Sequence, residues 1–371
     1  MKKHIRWGMI VLFAVSLLLS TFSFSKYASA GEENPQSIKG RVLSVVSGET
    51  TPTSSGGFPT QIVTIKLTSK DYNNQIITVK NTLTGHPLYD IEVKEGDRVL
   101  IQRNEVDGVL EYHIADFSRE TPLLIITVFF VLCVLLFGGI KGLKAVISLV
   151  VMGLVILYLI LPLILRGFNP IVVTVGLSSV MTGFFLFFIG GFNRKTTAAI
   201  LGTVGGLLAA GLLAYVVGNA SYLTGLASSE AQMLQFMESN IDFQGLLFAG
   251  IIIGALGAIL DVGISIASAM EQIKEAAPES DFKTLLRRGL HVGRDMMATM
   301  SNTLILAYVG SALPLLLLFQ ASNSSWSDII NLDLIATEIV RAMAGSIGLT
   351  LAIPLTALAA GFLLIKPIDK N

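Results

Sequence analysis

Residues 250–275 read GIIIGALGAILDVGISIASAMEQIKE. A helix needs roughly 20 apolar residues to cross a bilayer, and Gly250 to Met270 supplies such a run with a single charge, Asp261. Gly250, Gly254, Gly257, Asp261, Ser265 and Ser268 are spaced by 4, 3, 4, 4 and 3 residues. At about 100° per residue they share an arc of about 80° on one helix face. A stripe of small residues predicts close packing by a neighbouring helix. Asp261 belongs to that stripe, so its role is the main chemical question the sequence poses.

The rest of the chain reads as membrane protein too. Its 371 residues are 52% hydrophobic and 14% charged, with mean hydropathy +0.70, too apolar for a soluble protein of this size. Net charge is zero, so the totals imply neither a nucleic-acid partner nor an acidic substrate. Cys133 stands alone, and His4, His86, His113 and His291 are scattered. No intrachain disulfide, metal site or cofactor is expected.

Residues 1–30 are laid out as a signal segment. Lys2, Lys3 and Arg6 precede an apolar stretch from Trp7 to Phe24, and Ala28-Ser29-Ala30 has the small-x-small form of a cleavage site. Cleaved signal peptide and uncleaved anchor both place the following segment outside. Residues 31–121 read as a small all-β extracytoplasmic domain, with strands IKGRVLSVV, QIVTIKLTS, QIITVKNTL, DRVLIQRN and LEYHIADF and turns at Glu95–Asp97 and Val106–Gly108. Five short strands predict a closed barrel of the OB type. The domain is either a cap or a binding module for a protein partner.

Residues 122–366 read as a transmembrane helical bundle. Seven apolar runs follow Pro122: Pro122 to Ile140, Ala145 to Leu165, Pro170 to Phe192, Thr196 to Gly218, Phe243 to Met270, Thr299 to Phe319 and Ile335 to Ile365. The fold class is therefore a polytopic α-helical membrane protein of about seven spans carrying the OB-like domain. Loops on one side hold Lys141, Lys144, Arg194, Lys195, Lys274, Lys283, Arg287, Arg288, Arg294, Lys366 and Lys370, whereas Arg166 is the sole cation on the other, beside Glu230, Glu238, Asp242, Asp328 and Asp333. The positive-inside rule makes the first side cytoplasmic, with the carboxyl terminus inside and residues 31–121 outside. Within residues 271–298, a helix carrying Phe282, Leu285 and Leu286 towards lipid and Lys283, Arg287 and Arg288 towards water or head groups is expected to lie on the membrane surface.

Asp261 precedes Met270 by nine residues, on the order of 13 Å at 1.5 Å per residue, too deep for a short side chain to snorkel. A charge at bilayer depth costs about 2.5–3.5 kcal/mol and marks a bundle interior or a wet cavity. Asp261 is thus a candidate ion- or proton-handling group; a carboxyl bonded to a neighbouring helix is the structural alternative. The next helix offers Asp295, Thr299 and Asn302 on one face with Thr303 beside them. Glu338 and Arg341, three apart, form a candidate ion pair.

No Gly-Lys-Ser/Thr phosphate loop, His-Glu-x-x-His, Gly-x-Ser-x-Gly or paired carboxylates in the soluble part occurs, so the expectation is not an enzyme. The segments VKNTLTGHPLYDIEVKEGDRVL (Val79 to Leu100), GGFNRKT (Gly190 to Thr196), NIDFQGLLFAGIIIGALGAILDVGISIAS (Asn240 to Ser268), GRDMMATMSNTLILAYVGSALPLLLL (Gly293 to Leu318) and EIVRAMAGSIGLTLAIPLTAL (Glu338 to Leu358) resemble the YibE/YibF family of bacterial multi-spanning membrane proteins. The resemblance implies a bacterial cell-membrane location and an architecture, and brings no agreed catalytic residues. The order of Gly-rich helix, Asp261, Glu271 and a helix with Ser301-Asn302-Thr303 is also similar, at scattered positions, to the proton-coupling region of resistance-nodulation-division transporters and Sec-associated motors. The leading expectation is a transporter or proton-coupled transport accessory in the lipid bilayer, with an unidentified ion or small molecule as substrate and no nucleic acid as partner. The alternative is a non-transporting scaffold whose outer domain binds a protein.

Overall fold

The computed structural model describes residues 38–365, apart from 52–57, 70, 71, 73, 87–89, 107, 108, 239, 323 and 324. The signal segment, the centre of the Val106–Gly108 turn, Lys366 and Lys370 lie outside the described residues. The chain divides into two compact units, Met1–Phe137 and Gly138–Asn371.

In the first unit, all five expected strands form: β1 (Ile38–Thr51), β2 (Phe58–Leu67), β3 (Ile76–Thr82), β4 (Arg98–Val106) and β5 (Val109–Phe117). They make one antiparallel sheet in the order β3-β2-β1-β4-β5. Alternation puts Val63, Ile65 and Leu67 of β2 and Ile77 and Val79 of β3 on one buried face with Val42, Val99 and Ile101. The expected closed barrel is not formed, because no ladder joins β3 to β5. The core is completed instead by the connection between β3 and β4. Val93 inserts there and is 1% exposed, while Gln61 and Asn81 hold the connection through the carbonyls of Val93 and Ile91 at 3.2 and 2.8 Å.

The same connection closes on Asp90, whose carboxylate accepts from Thr84 N at 2.7 Å, Thr84 Oγ1 at 2.8 Å and Gly85 N at 2.5 Å. These donors, led by the Thr84 amide, hold the Asp90 carboxyl below the usual carboxylate range. At the other end, Lys39 pairs with Glu120 at 2.6 Å and Arg98 donates to Thr121 at 2.5 Å, tying the sheet to the start of the first helix.

The helices are α1 (Glu120–Val155), a π turn at Ile156–Ile160, α2 (Leu161–Leu165), α3 (Pro170–Gly190), α4 (Arg194–Ala220), α5 (Ser229–Met237), α6 (Phe243–Ala276), α7 (Phe282–Ser311), α8 (Leu313–Ala321), α9 (Trp326–Ile330) and α10 (Asp333–Ile365). Among the described residues five helical stretches are long and apolar enough to span a membrane, or six if α7 and α8 are counted as one span bent by 60°. This corrects the expected seven, and the reason is local. The first two apolar runs both fall within the stretch Glu120–Leu165, 46 residues, which is counted once. Gly139 breaks that stretch at φ 52°, ψ −132°, a conformation that only glycine adopts readily. The π turn precedes Pro162, whose missing N–H and ring disturb the regular ladder. Asn169, Asn193, Asp242 and Asp281 cap α3, α4, α6 and α7, and such caps contribute about 0.5–2 kcal/mol each.

The second unit is built around α4, α6 and α10, with α3 and α7 packed against them. The closest approach is between α4 and α10. A Cβ on Gly206 would come within 2.7 Å of the Ala352 side chain and 2.9 Å of the Gly348 carbonyl, and one on Gly348 would come within 2.5 Å of Ala210 and 2.9 Å of the Gly206 carbonyl. The small residues of the two helices interlock backbone to backbone.

Two outcomes follow from this packing. Replacement of Gly348 or Gly206 by Val is expected to destabilise the chain by about 1–3 kcal/mol, read as a lower melting temperature in detergent, whereas Gly257→Ala, with nothing within 4 Å, should leave it unchanged or slightly higher. In the sheet, a depressed carboxyl pKa stabilises above the unfolded value and the effect is lost as pH falls through the folded one. Protection of the Thr84 and Gly85 amides, measured as exchange relative to the intrinsic rate at each pH, should therefore fall on acidification below the ordinary carboxylate range, and Asp90→Ala should be poorly protected already at neutral pH.

Candidate functional site

α6 shows two faces. Phe248, Ile252, Ala255, Ile259, Val262 and Ile266 are buried towards the other helices. Gly250, Gly254, Gly257 and Asp261 lie on the opposite, exposed side, and Ser265 and Ser268 are half-buried. The predicted stripe exists, but it is not the close-packing seam of this chain: a Cβ on Gly250 or Gly257 would meet nothing within 4 Å. That seam is made by α4 and α10. The physical reason is that the bulky residues of α6 interdigitate in the core, which turns its small face outward.

Gly254 is the exception. A Cβ there would come within 2.6 Å of the Tyr308 hydroxyl, while Gly293 faces Ile266 and Ile353, and Gly289 faces Met270. These contacts set α6 and α7 antiparallel and put Asp261 level with Thr299 and Met300, and Asp295 nearer the α6–α7 turn. Asp261, Asp295, Thr299, Asn302 and Thr303 are all exposed. Thr299 donates to Met296 O at 3.1 Å and Thr303 to Thr299 O at 2.9 Å. These hydroxyls are spent on their own helix, as threonines in apolar helices commonly are. No hydrogen bond links Asp261 to any of the α7 residues, nor to another described residue. Asp261 stands 18 residues from the start of α6 and 15 from its end, near the middle of a helix about 50 Å long.

Glu338 and Arg341 form the expected pair, at 2.8 Å and partly buried. Around it the structure adds groups that the sequence reading missed. The Tyr308 hydroxyl is buried without a partner among the described residues, as is Glu338 Oε2, and both Arg341 and Glu338 act electrostatically on Tyr308. Tyr308 belonged to an apolar run and gave no periodic signal of its own.

At the opposite end of the bundle Lys195 of α4 pairs with Glu271 of α6 at 2.6 Å, the side chains 25% and 28% exposed. Lys144 donates to the Phe188 carbonyl at 3.2 Å. Two charges 76 residues apart could not be matched from spacing. No group of three or more His, Cys, Asp or Glu residues suited to a metal occurs among the described residues.

Residues 126–366 match the YibE/F-like protein family, and residues 35–117 match the YibE/F family N-terminal domain. The chain belongs to the YibE/F family. The first match covers most of the helical part and the second the sheet, so the family's two parts coincide with the bundle and the strands. No curated protein and no solved structure matches the chain.

The Lys195–Glu271 pair is expected to couple α4 to α6. Glu271→Gln should lower stability by about 1 kcal/mol, in keeping with a partly exposed pair, and the exchange Lys195→Glu with Glu271→Lys should recover part of the loss in thermal unfolding.

Proposed function

We propose that this multi-pass membrane protein is an ion- or proton-coupled transporter, or an accessory of one, in which Asp261 is the ion-responsive group. The observation that carries the reading is the position of Asp261: mid-helix, exposed, and without a hydrogen-bond partner among the described residues, on a stripe too small to shield it. An ionised carboxylate facing lipid at that depth costs about 2.5–3.5 kcal/mol. The cost falls away if the group is protonated, or meets water, a cation or another chain, and a group poised between those states is what ion coupling requires. The exposed Thr299, Asn302 and Thr303 of α7 line the same level, and Tyr308, Glu338 and Arg341 make a second polar station where α7 and α10 meet Gly254.

The basic end is cytoplasmic in this proposal. Arg194, Lys195, Lys274, Lys283, Arg287, Arg288 and Arg294 lie at the end of the bundle where α4 and α7 begin and α6 ends, as the positive-inside rule favours. The sheet domain is then extracytoplasmic.

A second reading, a scaffold that recruits a protein through the sheet, is favoured by one feature. Val46 and Ile62 face each other in register and are 59% and 44% exposed, an apolar pair on the outer face of the sheet.

Asp261→Asn decides between them. It keeps size and one hydrogen-bonding oxygen but cannot ionise. If transport is the function, the variant should insert, fold to an unchanged melting temperature, and fail to complement any phenotype of a deletion strain. Full complementation by well-inserted Asp261→Asn, together with failure of Val46→Lys/Ile62→Lys, would instead establish the scaffold.

A further inference from the structure

The first third of α7 was expected on the membrane surface with its apolar side in lipid. It is instead continuous with the rest of α7, and Leu285 and Phe282 of that apolar side pack against the protein, while Leu286 is half-buried. Leu285 is 0% exposed, Phe282 stacks on Phe362 with ring centroids 4.6 Å apart, and Gly289 and Gly293 let α7 close on Met270 and Ile353. This anchoring fixes the direction of the other side. From Lys283 to Arg294 the chain carries four cations and no acid. Lys283, Arg287 and Arg294 fall within an arc of about 40° on the helix, with His291 next to them.

None of these cations has a hydrogen bond or ion pair among the described residues. Among the nearby acids, Glu271 is paired with Lys195, Asp281 accepts from Thr284 N at the helix start, Asp295 is nearer the Arg288 side than the centre of the cationic arc, and Glu275 and Glu279 are exposed at the α6–α7 turn but do not line the groove beside the cations. The cations border an open groove of about 900 Å³ along α7. Thr284, His291 and Val292 also line it, and its apolar edge is made by Leu286 and Leu290 of α7 and by Ile273 of α6. Three cations on one narrow arc, Lys283, Arg287 and Arg294, suit an anion. The apolar edge calls for hydrocarbon, and the two requirements meet in one molecule.

We propose that this groove binds an anionic phospholipid, its phosphate held by Arg287, Arg294 and Lys283 and the start of an acyl chain laid against Ile273, Leu286 and Leu290. Arginine suits a phosphate because its planar fork donates two parallel hydrogen bonds. The site lies where α6 and α7 leave the apolar part of the bundle, the level at which head groups sit, and an anionic bilayer surface attracts basic residues at about 1 kcal/mol each. The lipid would brace the α6–α7 turn, which in the chain itself is closed by Lys274 donating to the carbonyls of Pro278 and Ser280 at 2.5 and 2.8 Å.

The test uses the full-length chain in detergent, titrated with phosphatidylglycerol, phosphatidylcholine, a short-chain phosphatidylglycerol or inorganic phosphate, with bound lipid counted by native mass spectrometry and stability read by thermal unfolding. Long-chain phosphatidylglycerol should be retained and raise the melting temperature; phosphatidylcholine and the short-chain lipid should do so far less. Arg287→Gln/Arg294→Gln should weaken retention about 30-fold, whereas Lys80→Gln/Lys94→Gln, which removes the same charge from the sheet, should not. If the first pair fails to fold, Lys283→Gln/Arg287→Gln, both at exposed positions, carries the same expectation. Equal retention of phosphatidylcholine, or undiminished retention by the groove variants, overturns the proposal. Inorganic phosphate that matches and displaces phosphatidylglycerol overturns the lipid assignment in favour of a soluble phosphate compound.

Discussion

The bundle depends on one close approach, that of Gly206 on α4 to Gly348 on α10. In a bilayer the hydrophobic effect cannot drive helices together, because lipid tails are as apolar as leucine, so van der Waals fit between backbones takes its place. The reciprocal contacts of Gly206 with Gly348 and Ala352, and of Gly348 with Ala210, bring the two helix axes close. The larger side chains of α6, Ile252, Ile259 and Ile266, then fill the third side of the core.

That division of labour explains the most informative departure from the sequence reading. Stripes of small residues occur on α4, α6 and α10, and spacing cannot say which two pair. The α4 and α10 stripes meet, and the α6 stripe faces outward with Asp261 on it. A carboxylate on an inward stripe would be neutralised and structural; one on an outward stripe keeps its chemistry available to water, a cation or another chain. The functional proposal rests on that difference, and the cationic groove at the α6–α7 turn arises in the same way, since burial of Leu285 and Phe282 forces Arg287 and Arg294 outward.

Much of the fold was legible before any coordinates. All five strands were readable from alternation and turn residues, and the long helices from apolar length. Barrel closure was not, because it depends on whether β3 and β5 pair, and here the connection bearing Val93 completes the core instead. The count of spans differs because the runs Pro122 to Ile140 and Ala145 to Leu165 fall in one helical stretch, Glu120–Leu165, that is kinked at Gly139. Of the site, Glu338–Arg341 was visible as a local pair. Tyr308 over Gly254 and Lys195–Glu271 were not, being contacts between different helices, beyond the reach of spacing within one helix.

The sequence by itself determined what each segment could be: an apolar run is a helix in a membrane because its backbone must satisfy its own hydrogen bonds, and an alternating run is a strand with one buried face. It also determined that Asp261 lies within an apolar, membrane-length run, on a face of small residues. Only the tertiary structure decided which faces meet. Helical periodicity fixes the relation of residues within one helix, but the rotation of each helix about its axis is set by how its side chains fit its neighbours. That rotation placed Gly348 inward and Asp261 outward.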